Sequence, residues 1–192
     1  MERNSLTIND FTIYPVDDFS IFTGFSCLSP EDKDQDLNDF IQHDAERHLK
    51  DRIAVTYTLI HRAEPSLALA FATLQNDSIT TEPKDLPEVR TAYPYTAYPA
   101  VKIGRLGVRL EYQNSRELRL GSLFLFMLKC LMMDSNRTGC RFITVDARRD
   151  KKNHIDTTPF YEKNGFTLLT CREKTSRYIP MYFDLKTMEP TT

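Results

Sequence analysis

The stretch that decides the fold reads KIGRLGVRLEY at residues 102–112 and continues, after a short polar turn, as RELRLGS at residues 116–122. Its aliphatic first part predicts a strand that ends at Val108, and its second part opens a strongly apolar helix predicted from Leu120 to Asp134. A strand that leads into a helix N-terminus presents unpaired backbone N–H groups and the positive end of the helix dipole, which suits a phosphate ligand. The alternative interpretation is a plain strand–turn–helix unit whose arginines face the solvent.

The segments on either side of this stretch predict a mixed α/β sheet. A first strand at residues 11–16 precedes a helix that has an N-cap signal at Ser29, apolar residues at three- and four-residue intervals, and an end near Lys50. Two β-rich runs, residues 53–60 and 66–74, are joined by a short polar connection and predict an antiparallel hairpin. The remaining predicted elements are a proline-rich loop at 80–99, a strand at 100–108, the apolar helix, a strand at 141–147, a short helix at 157–164, and strands at 166–171 and 178–185.

Composition and charge narrow the class of protein. The 192 residues are 41% hydrophobic and 27% charged, which is typical of an ordinary globular chain, and at this length we expect one domain over residues 1–192. The net charge of -2 argues against a protein that coats nucleic acid through a basic surface, although it leaves room for a local basic patch. The most apolar run, residues 120–133, is too short to span a bilayer and contains Lys129, and the N-terminus has no signal-peptide pattern, so we expect a cytoplasmic protein.

The spacing of cysteine and histidine predicts no metal site. The cysteines are far apart, without a C-x-x-C pair, and are expected to be small buried hydrophobes in a reducing compartment. They are Cys27, Cys130, Cys140 and Cys171. His43 and His48 lie five residues apart on the first helix. That spacing separates them by about 140° around the helix axis, so they do not form a ligand pair.

A second motif, FYEKNGF at residues 160–166, predicts a short helix that ends at a left-handed position filled by Gly165. Tyr161 in this motif has two interpretations. Its ring is either a structural part of the core, or a positioned phenol that donates a proton in a reaction.

Taken in order, these segments resemble the GNAT superfamily of acetyl-CoA-dependent N-acetyltransferases over nearly the whole chain. The matching stretches are LNDFI at 37–41, TYTL at 56–59, RLGV at 105–108, VDA at 145–147 and the motif at 160–166. Together they resemble the branch that contains the acetyltransferase toxins of bacterial toxin–antitoxin pairs. The resemblance implies a GNAT-like α/β fold with a mixed, mostly antiparallel central sheet flanked by helices.

The resemblance also implies where acetyl-CoA binds. The backbone of Leu106, Gly107 and Val108 would hold the pantetheine arm and the thioester carbonyl, whose developing oxyanion needs N–H donors. The family's pyrophosphate loop reads Arg or Gln, two residues, Gly, one residue, and Gly or Ala. The corresponding residues here are Arg116, Glu117, Leu118, Arg119, Leu120, Gly121 and Ser122. Arg119 replaces the middle glycine of that pattern, so its side chain would either crowd the phosphates or add a cation.

Direct acetyl transfer by an acyltransferase is the mechanism that the resemblance implies. A neutral amine attacks the thioester, and Tyr161 donates a proton to the leaving thiolate. A phenol with an ordinary pKa of about 10 is protonated at neutral pH and can donate without tuning. No general base stands out, since Asp146 and Glu111 both suit ordinary surface or capping roles.

The acceptor and the partners stay open at this level. The toxin branch acetylates the amino group of aminoacyl-tRNA and usually sits beside an antitoxin, which implies a primary amine as acceptor and charged tRNA as the sharper candidate. One alternative is an acetyltransferase of small-molecule or protein amines. Another is a non-catalytic binding module that keeps the fold with a degenerate pyrophosphate loop. The tyrosine-rich segment at residues 93–98 would either form a homodimer interface or cover the sheet.

A basic cluster in the last third of the chain has two interpretations. It comprises Arg137, Arg141, Arg148, Arg149, Lys151 and Lys152. These side chains either face the solvent, or contact the adenosine 3′-phosphate of the cofactor or an RNA backbone.

Overall fold

The computed structural model of the chain describes residues 7–32, 35–80, 93, 95–113, 115, 118–135, 138–150, 155–170 and 177–189. They fall into two compact units. The first unit contains residues up to Gln75 and from Arg105 to Leu128, and the second contains Asn76 to Gly104 and the residues from Lys129 onward. The single domain expected over residues 1–192 stays a prediction.

In the first unit, two strands and the first half of a third form an antiparallel meander. They are β1 (Phe11–Pro15), β2 (Val55–His61) and β3 (Ala70–Thr80). Phe11 lies opposite His61 in the β1–β2 pair, and Val55 lies opposite Leu74 in the β2–β3 pair. The predicted first strand and the predicted hairpin are therefore confirmed, while β3 continues to Thr80, beyond the predicted end at residue 74.

The first helical region begins later than the sequence predicts. Ser29 N does donate to Asp32 Oδ2 at 2.9 Å, the capping bond that the sequence suggests. That bond closes an isolated turn, because the helix starts only at Asp36. It consists of α1 (Asp36–Asp39), a π-helical turn (Phe40–Asp44) and α2 (Ala45–Lys50). The predicted start at Ser29 is thus wrong, and the predicted end near Lys50 is confirmed.

The apolar face of this helical region packs in the core of the first unit. Phe40, Ile41 and Ala45 have 2%, 2% and 0% of their surface exposed, as the three- and four-residue spacing predicts. They share one cluster with Val16, Phe22, Phe25, Cys27, Ala68 and Phe71. This cluster packs the first helical region against the strands of the first unit.

The strand order continues as β3, β4, β5, β8, β7, with β6 paired to β5. The new strands are β4 (Ala97–Val108), β5 (Phe142–Asp150), β6 (Ile155–Asp156), β7 (Thr167–Leu168) and β8 (Tyr178–Asp184). The β4–β5 pair is parallel, whereas β6 and β8 run antiparallel to β5, and β7 runs antiparallel to β8. Helix α2 contacts β2, and the short helix of residues 158–163 contacts β5. The predicted mixed, mostly antiparallel sheet flanked by helices is confirmed.

Two further helices match the sequence prediction closely. Helix α3 (Leu120–Asp134) has both of its predicted ends, and α4 (Thr158–Lys163) lies within the predicted 157–164. The predicted strand at 166–171 is reduced to β7, and Cys171 lies outside the described residues. Most of the predicted loop at 80–99 also lies outside them, while Ala97–Pro99 belongs to β4. No helix in the described ranges is long and apolar enough to cross a membrane.

Candidate active site

Leu106, Gly107 and Val108 are the last three residues of β4 and lie in the first unit. The parallel register with β5 runs from Ala100 opposite Phe142 to Ile103 opposite Val145, whereas β4 itself continues to Val108. The predicted pantetheine-binding residues therefore lie beyond the part of β4 that pairs with β5. Strand residues in that position can offer backbone N–H groups to a ligand.

Gly107 is required by close packing. A Cβ at this position would come within 2.6 Å of Phe71 Cε1 and 2.9 Å of Cys27 Sγ. Both neighbours belong to the core cluster of the first unit, so neither can move away easily. The glycine thus lets the β4 backbone pack directly against Phe71 and Cys27, and this packing fixes the position of the strand end.

Arg109 anchors the end of β4 from inside the protein. Its side chain has 8% of its surface exposed, Nε donates to Ala68 O at 2.8 Å, and Nη1 donates to Gly24 O at 3.2 Å. The guanidinium also lies 5.1 Å from the centroid of the Phe25 ring. Sequence reasoning missed this role, because the carbonyls that Arg109 binds are more than 40 positions away in the chain.

Arg105 ties β4 to the first helical region. Its Cζ lies 3.9 Å from the centroid of the Phe40 ring, within the range of a cation–π contact, and its Nε lies 3.7 Å from Asp36 Oδ2. Phe40 is the first residue of the π-helical turn. Single π turns inside α-helices are frequent at functional sites.

The predicted pyrophosphate loop is described only in part. Arg116 and Glu117 lie outside the described residues, whereas the chain from Leu118 to Ser122 is described. Arg119 N donates to Ser115 O at 3.2 Å, and Arg119 O accepts from Ser122 N and Leu123 N at 2.9 and 3.1 Å. Leu120 is buried, while Gly121 and Ser122 are half-buried. Arg119 therefore sits directly at the N-terminus of α3.

The backbone of Arg119 has a conformation that favours glycine. Its φ is +41°, in the left-handed region that glycine enters without steric cost. This is the position where the resembling family has its middle glycine. The side chain of Arg119 is exposed, which leaves the guanidinium accessible from solvent. The backbone at position 119 is therefore one that a glycine would adopt without strain.

Tyr161 lies in the second unit, on α4. Its partly buried ring contacts Phe160 and Phe166 edge to face, with centroid distances of 5.1 and 5.4 Å. Desolvation by burial raises the pKa of this phenol to about 12. The hydroxyl is therefore protonated at neutral pH, as a proton donor must be.

The turn that ends α4 is hydrogen-bonded to the backbone carbonyl of Tyr161. Tyr161 O accepts from Asn164 N and from Phe166 N, each at 3.0 Å. Gly165 has φ +81°, which confirms the predicted left-handed position at the end of the motif. Any shift of this turn would therefore move the backbone of Tyr161.

Lys129 is a feature of this region that sequence reasoning missed. It lies in α3 with 6% of its surface exposed, and its Nζ donates to Asn164 O at 2.5 Å. The same Nζ lies 3.5 Å from the centroid of Phe183 and 5.0 Å from that of Phe166. Burial lowers the pKa of Lys129 from 10.5 to about 8. The available signal was a lone lysine inside the most apolar run of the chain.

The two carboxylates considered as general bases have ordinary surroundings. Asp146 forms an ion pair with Lys102, and Glu111 is exposed in the 3-10 helix Leu110–Tyr112. Among the described residues there is also no group of three or more His, Cys, Asp or Glu side chains that could hold a metal ion.

The basic cluster is largely neutralised where it is described. Arg141 forms a two-point ion pair with Asp184 at 2.7 and 2.8 Å. Arg148 lies 3.9 Å from Asp150, and Arg149 lies 3.2 Å from Asp156. Arg137, Lys151 and Lys152 lie outside the described residues. The three described arginines thus favour the interpretation as a solvated, ion-paired surface.

The predicted cofactor residues and the predicted acid fall in different units. The first unit contains Leu106 to Val108 and Leu118 to Ser122, and the second contains Tyr161. Each set is held by contacts inside its own unit. Arg109 and Lys129 supply central contacts of these two sets, one in each unit.

Comparison with known proteins supports the fold through structure rather than sequence. No protein-family model and no curated protein matches the chain. Solved structures do match. AtaT complexed with acetyl-methionyl-tRNAfMet is 22% identical, with a TM-score of 0.67 and coverage of 93% of this chain and 97% of that chain. A tyrosine-to-phenylalanine mutant of KacT is 21% identical, with a TM-score of 0.69 and coverage of 93% and 96%.

A third structure adds ligands. It is a tyrosine-to-phenylalanine mutant of the AtaT toxin bound to acetyl-CoA and to the C-terminus of the antitoxin AtaR. It is 19% identical, with a TM-score of 0.63 and coverage of 93% of this chain and 95% of that chain. These similarities show that the chain shares the fold of the AtaT and KacT structures.

Proposed function

We propose that this chain, which has the fold of the AtaT and KacT structures, is an acetyl-CoA-dependent N-acetyltransferase. The observation that carries the proposal is the left-handed backbone of Arg119 at the N-terminus of α3. At this position the chain has the left-handed backbone that a glycine adopts without strain, although an arginine there costs about 1–2 kcal/mol. This glycine-like backbone in front of the α3 N-terminus favours a cofactor-binding loop over the non-catalytic binding module.

The first unit would bind the cofactor. The N-terminal N–H groups of α3 would hold the pyrophosphate, with the exposed guanidinium of Arg119 as an added cation. The end of β4 would hold the pantetheine arm and direct N–H groups at the thioester oxygen. Gly107 and Arg109 serve this role by fixing the strand end against the core.

The acetyl transfer would then proceed in one displacement. The nitrogen of a neutral amine forms a bond to the acetyl carbon, and the C–S bond breaks with its electron pair on sulfur. Tyr161 donates a hydrogen bond to the developing thiolate and then its proton, and the resulting phenolate regains a proton, through water, as the amine loses one. Because the pKa of Tyr161 is about 12, its proton stays on the phenol until charge develops on sulfur.

The sharper form of the proposal takes the amino group of aminoacyl-tRNA as acceptor, in a toxin-like role that an antitoxin would neutralise. Its support is that AtaT has been solved with acetyl-methionyl-tRNAfMet and with the antitoxin AtaR. The net charge of -2 and the ion-paired arginines weigh against a large RNA interface. Small-molecule and protein amines therefore remain the second candidate class of acceptor.

Binding of acetyl-CoA is the first test. Ligand at about 100 times its dissociation constant should stabilise the fold by roughly 2.7 kcal/mol, or about 5–10 °C in Tm. ATP is the control for nonspecific phosphate binding. A shift seen equally with ATP, or no shift at millimolar acetyl-CoA, would contradict the proposal. With binding shown, methionyl-tRNA, spermidine and a lysine peptide then separate the acceptor classes.

Tyr161→Phe is the second test. The variant keeps the ring contacts with Phe160 and Phe166 but loses the proton, so turnover should fall by about 10²-fold or more. The affinity for acetyl-CoA should stay within about twofold, because the proposed cofactor residues lie elsewhere. Tyr178→Phe, at an exposed position of β8, is the matched control. Unchanged turnover in Tyr161→Phe would remove Tyr161 from the reaction.

A further inference from the structure

Lys129 is buried at a place where an apolar side chain would fit. Its neighbours in α3 are Leu128, which is fully buried, and Cys130, which is partly buried, and its ammonium lies between the rings of Phe166 and Phe183. Taking an ammonium out of water is costly, and replacing a buried charge with an apolar residue of similar size is often neutral for stability. Stability alone therefore gives no reason for a lysine here.

The contacts of this ammonium point instead to the turn that closes α4. Its Nζ donates to the carbonyl of Asn164, the residue that ends the helix. Asn164 in turn donates through its backbone N–H to Tyr161 O and through Nδ2 to Phe160 O at 2.8 Å. One carbonyl thus links Lys129 to the residues on which the Tyr161 ring rests.

The aromatic rings form a second link between the same two residues. The Lys129 ammonium covers the face of Phe183, and Phe183 contacts Phe166 at a centroid distance of 5.7 Å. Phe166 is the ring that contacts Tyr161 edge to face. Gly165 fits tightly against the same aromatic group, since a Cβ there would lie 3.1 Å from Phe183 Cε2.

We propose that Lys129 is a positioning residue for Tyr161: it holds the turn at residues 164–166, and this turn sets the place of the phenol. The inference rests on the proposed function, in which that phenol protonates the leaving thiolate. Misplacing a catalytic group by about 1 Å can cost up to about 10²-fold in rate, so a small change in this turn has a large effect on turnover. Lys129 itself touches neither substrate nor cofactor in this proposal.

Kinetics of a double-mutant cycle test the proposal. Lys129→Met keeps the length of the side chain and removes the ammonium, so it should lower kcat about tenfold while the KM for acetyl-CoA changes less than about twofold. In the Tyr161→Phe background the same substitution should cause no further fall, because there is no phenol left to position. Lys129→Arg, which keeps the charge, should recover part of the lost kcat. Falls that simply add would overturn the proposal.

Amide hydrogen exchange provides a readout that does not depend on turnover. In Lys129→Met, the amides of Asn164, Gly165 and Phe166 should exchange about tenfold faster, while those of β5 and β8 stay unchanged. Lys163→Met, at an exposed position of α4, is the matched control and should leave both exchange and kcat unchanged. Unchanged exchange at the three amides overturns the proposal whatever the activity. If the wild type transfers no acetyl group while exchange responds, the proposed function fails and the positioning role falls with it.

Discussion

At position 119 an arginine occupies a backbone conformation that glycine adopts without cost. Its φ of +41° brings Cβ close to the following carbonyl, and for a residue with a side chain this costs about 1–2 kcal/mol. The hydrogen bonds of Arg119 O to Ser122 N and Leu123 N hold the conformation in place. The loop geometry is therefore set by the start of α3 and not by the residue type at this position.

We expect Arg119→Gly to weaken acetyl-CoA binding about threefold to tenfold, because an exposed cation near a phosphate contributes about 1 kcal/mol. The free energy of unfolding should change by less than about 1 kcal/mol, since relief of strain is offset by the greater freedom of glycine in the unfolded chain. Calorimetric titration at two salt concentrations measures the first effect, and urea unfolding measures the second.

Arg119→Ala separates charge from backbone strain, because it removes the guanidinium but keeps the Cβ. It should bind acetyl-CoA as weakly as Arg119→Gly does. Tighter binding by both variants than by the wild type would show that the arginine side chain crowds the phosphates.

At the scale of elements, the close packing of β4 against the core depends on Gly107. Gly107→Ala should destabilise the fold by about 1–3 kcal/mol, because the new methyl group would meet the Phe71 ring and Cys27 Sγ at less than contact distance. Acetyl-CoA binding should weaken as well, since the strand end would have to shift. Urea unfolding and thermal shift measure the two effects.

Gly139→Ala is the control for this prediction. That glycine has φ +73° and open space around its Cβ position, so the substitution adds only backbone strain of about 1 kcal/mol and no clash. Gly107 does not have positive φ, so its cost comes from packing. A Gly107→Ala variant as stable as the wild type would mean that Phe71 and Cys27 can give way.

Helix α3 and the first helical region show what local sequence can and cannot predict. Asn136 and Gly139 mark the stop of α3, and both of its predicted ends agree with the structure. The stripe of Phe40, Ile41 and Ala45 also predicts the buried face of the first region. The π turn has no such signal, because its bond from Ala45 N to Phe40 O adds one residue to a turn without changing which residues are apolar.

The candidate site divides in the same way. The places of Tyr161, Gly165 and the end of β4 in their elements could be predicted because each lies inside a short contiguous motif, and their roles stay predictions. Arg109 and Lys129 could not, because their partners lie far away in the chain, and only the fold brings Ala68 to one and Phe183 to the other. In a sequence both look like ordinary charged residues beside an apolar run.

At the scale of the whole molecule, the free energy of unfolding should depend on pH through buried groups whose pKa shifts act in opposite directions, Lys129 and Cys27 among them. The pKa of Lys129 is lowered from 10.5 to about 8, so between these values the unfolded chain holds a proton that the folded chain has released. Stability contributed by Lys129 is therefore present above pH 10.5 and is lost as the pH falls through 8. Its contribution rises with pH by at most about 1.4 kcal/mol per pH unit.

Cys27 acts in the opposite direction. Burial raises the pKa of its thiol from 9.0 to about 12, so above pH 9.0 the unfolded chain loses a proton that the folded chain keeps, and stability falls. The Lys129 contribution therefore acts alone from about pH 8 to 9.0, and the two oppose each other above that. Comparing variants is the way to separate them.

We expect the unfolding free energies of wild type and Lys129→Met to run parallel below pH 8 and to diverge above it, with the wild type gaining on the variant up to about pH 10.5. Cys27→Ala should instead decline less steeply above pH 9.0, where burial also raises the pKa of the Cys130 and Cys140 thiols. Urea unfolding of the three proteins at about pH 7, 8, 9 and 10 measures this difference in unfolding free energy. Parallel curves for wild type and Lys129→Met over the whole range would show that Lys129 stays charged in the folded protein. Its ammonium would then be better solvated than its position among Phe166, Phe183 and Asn164 implies.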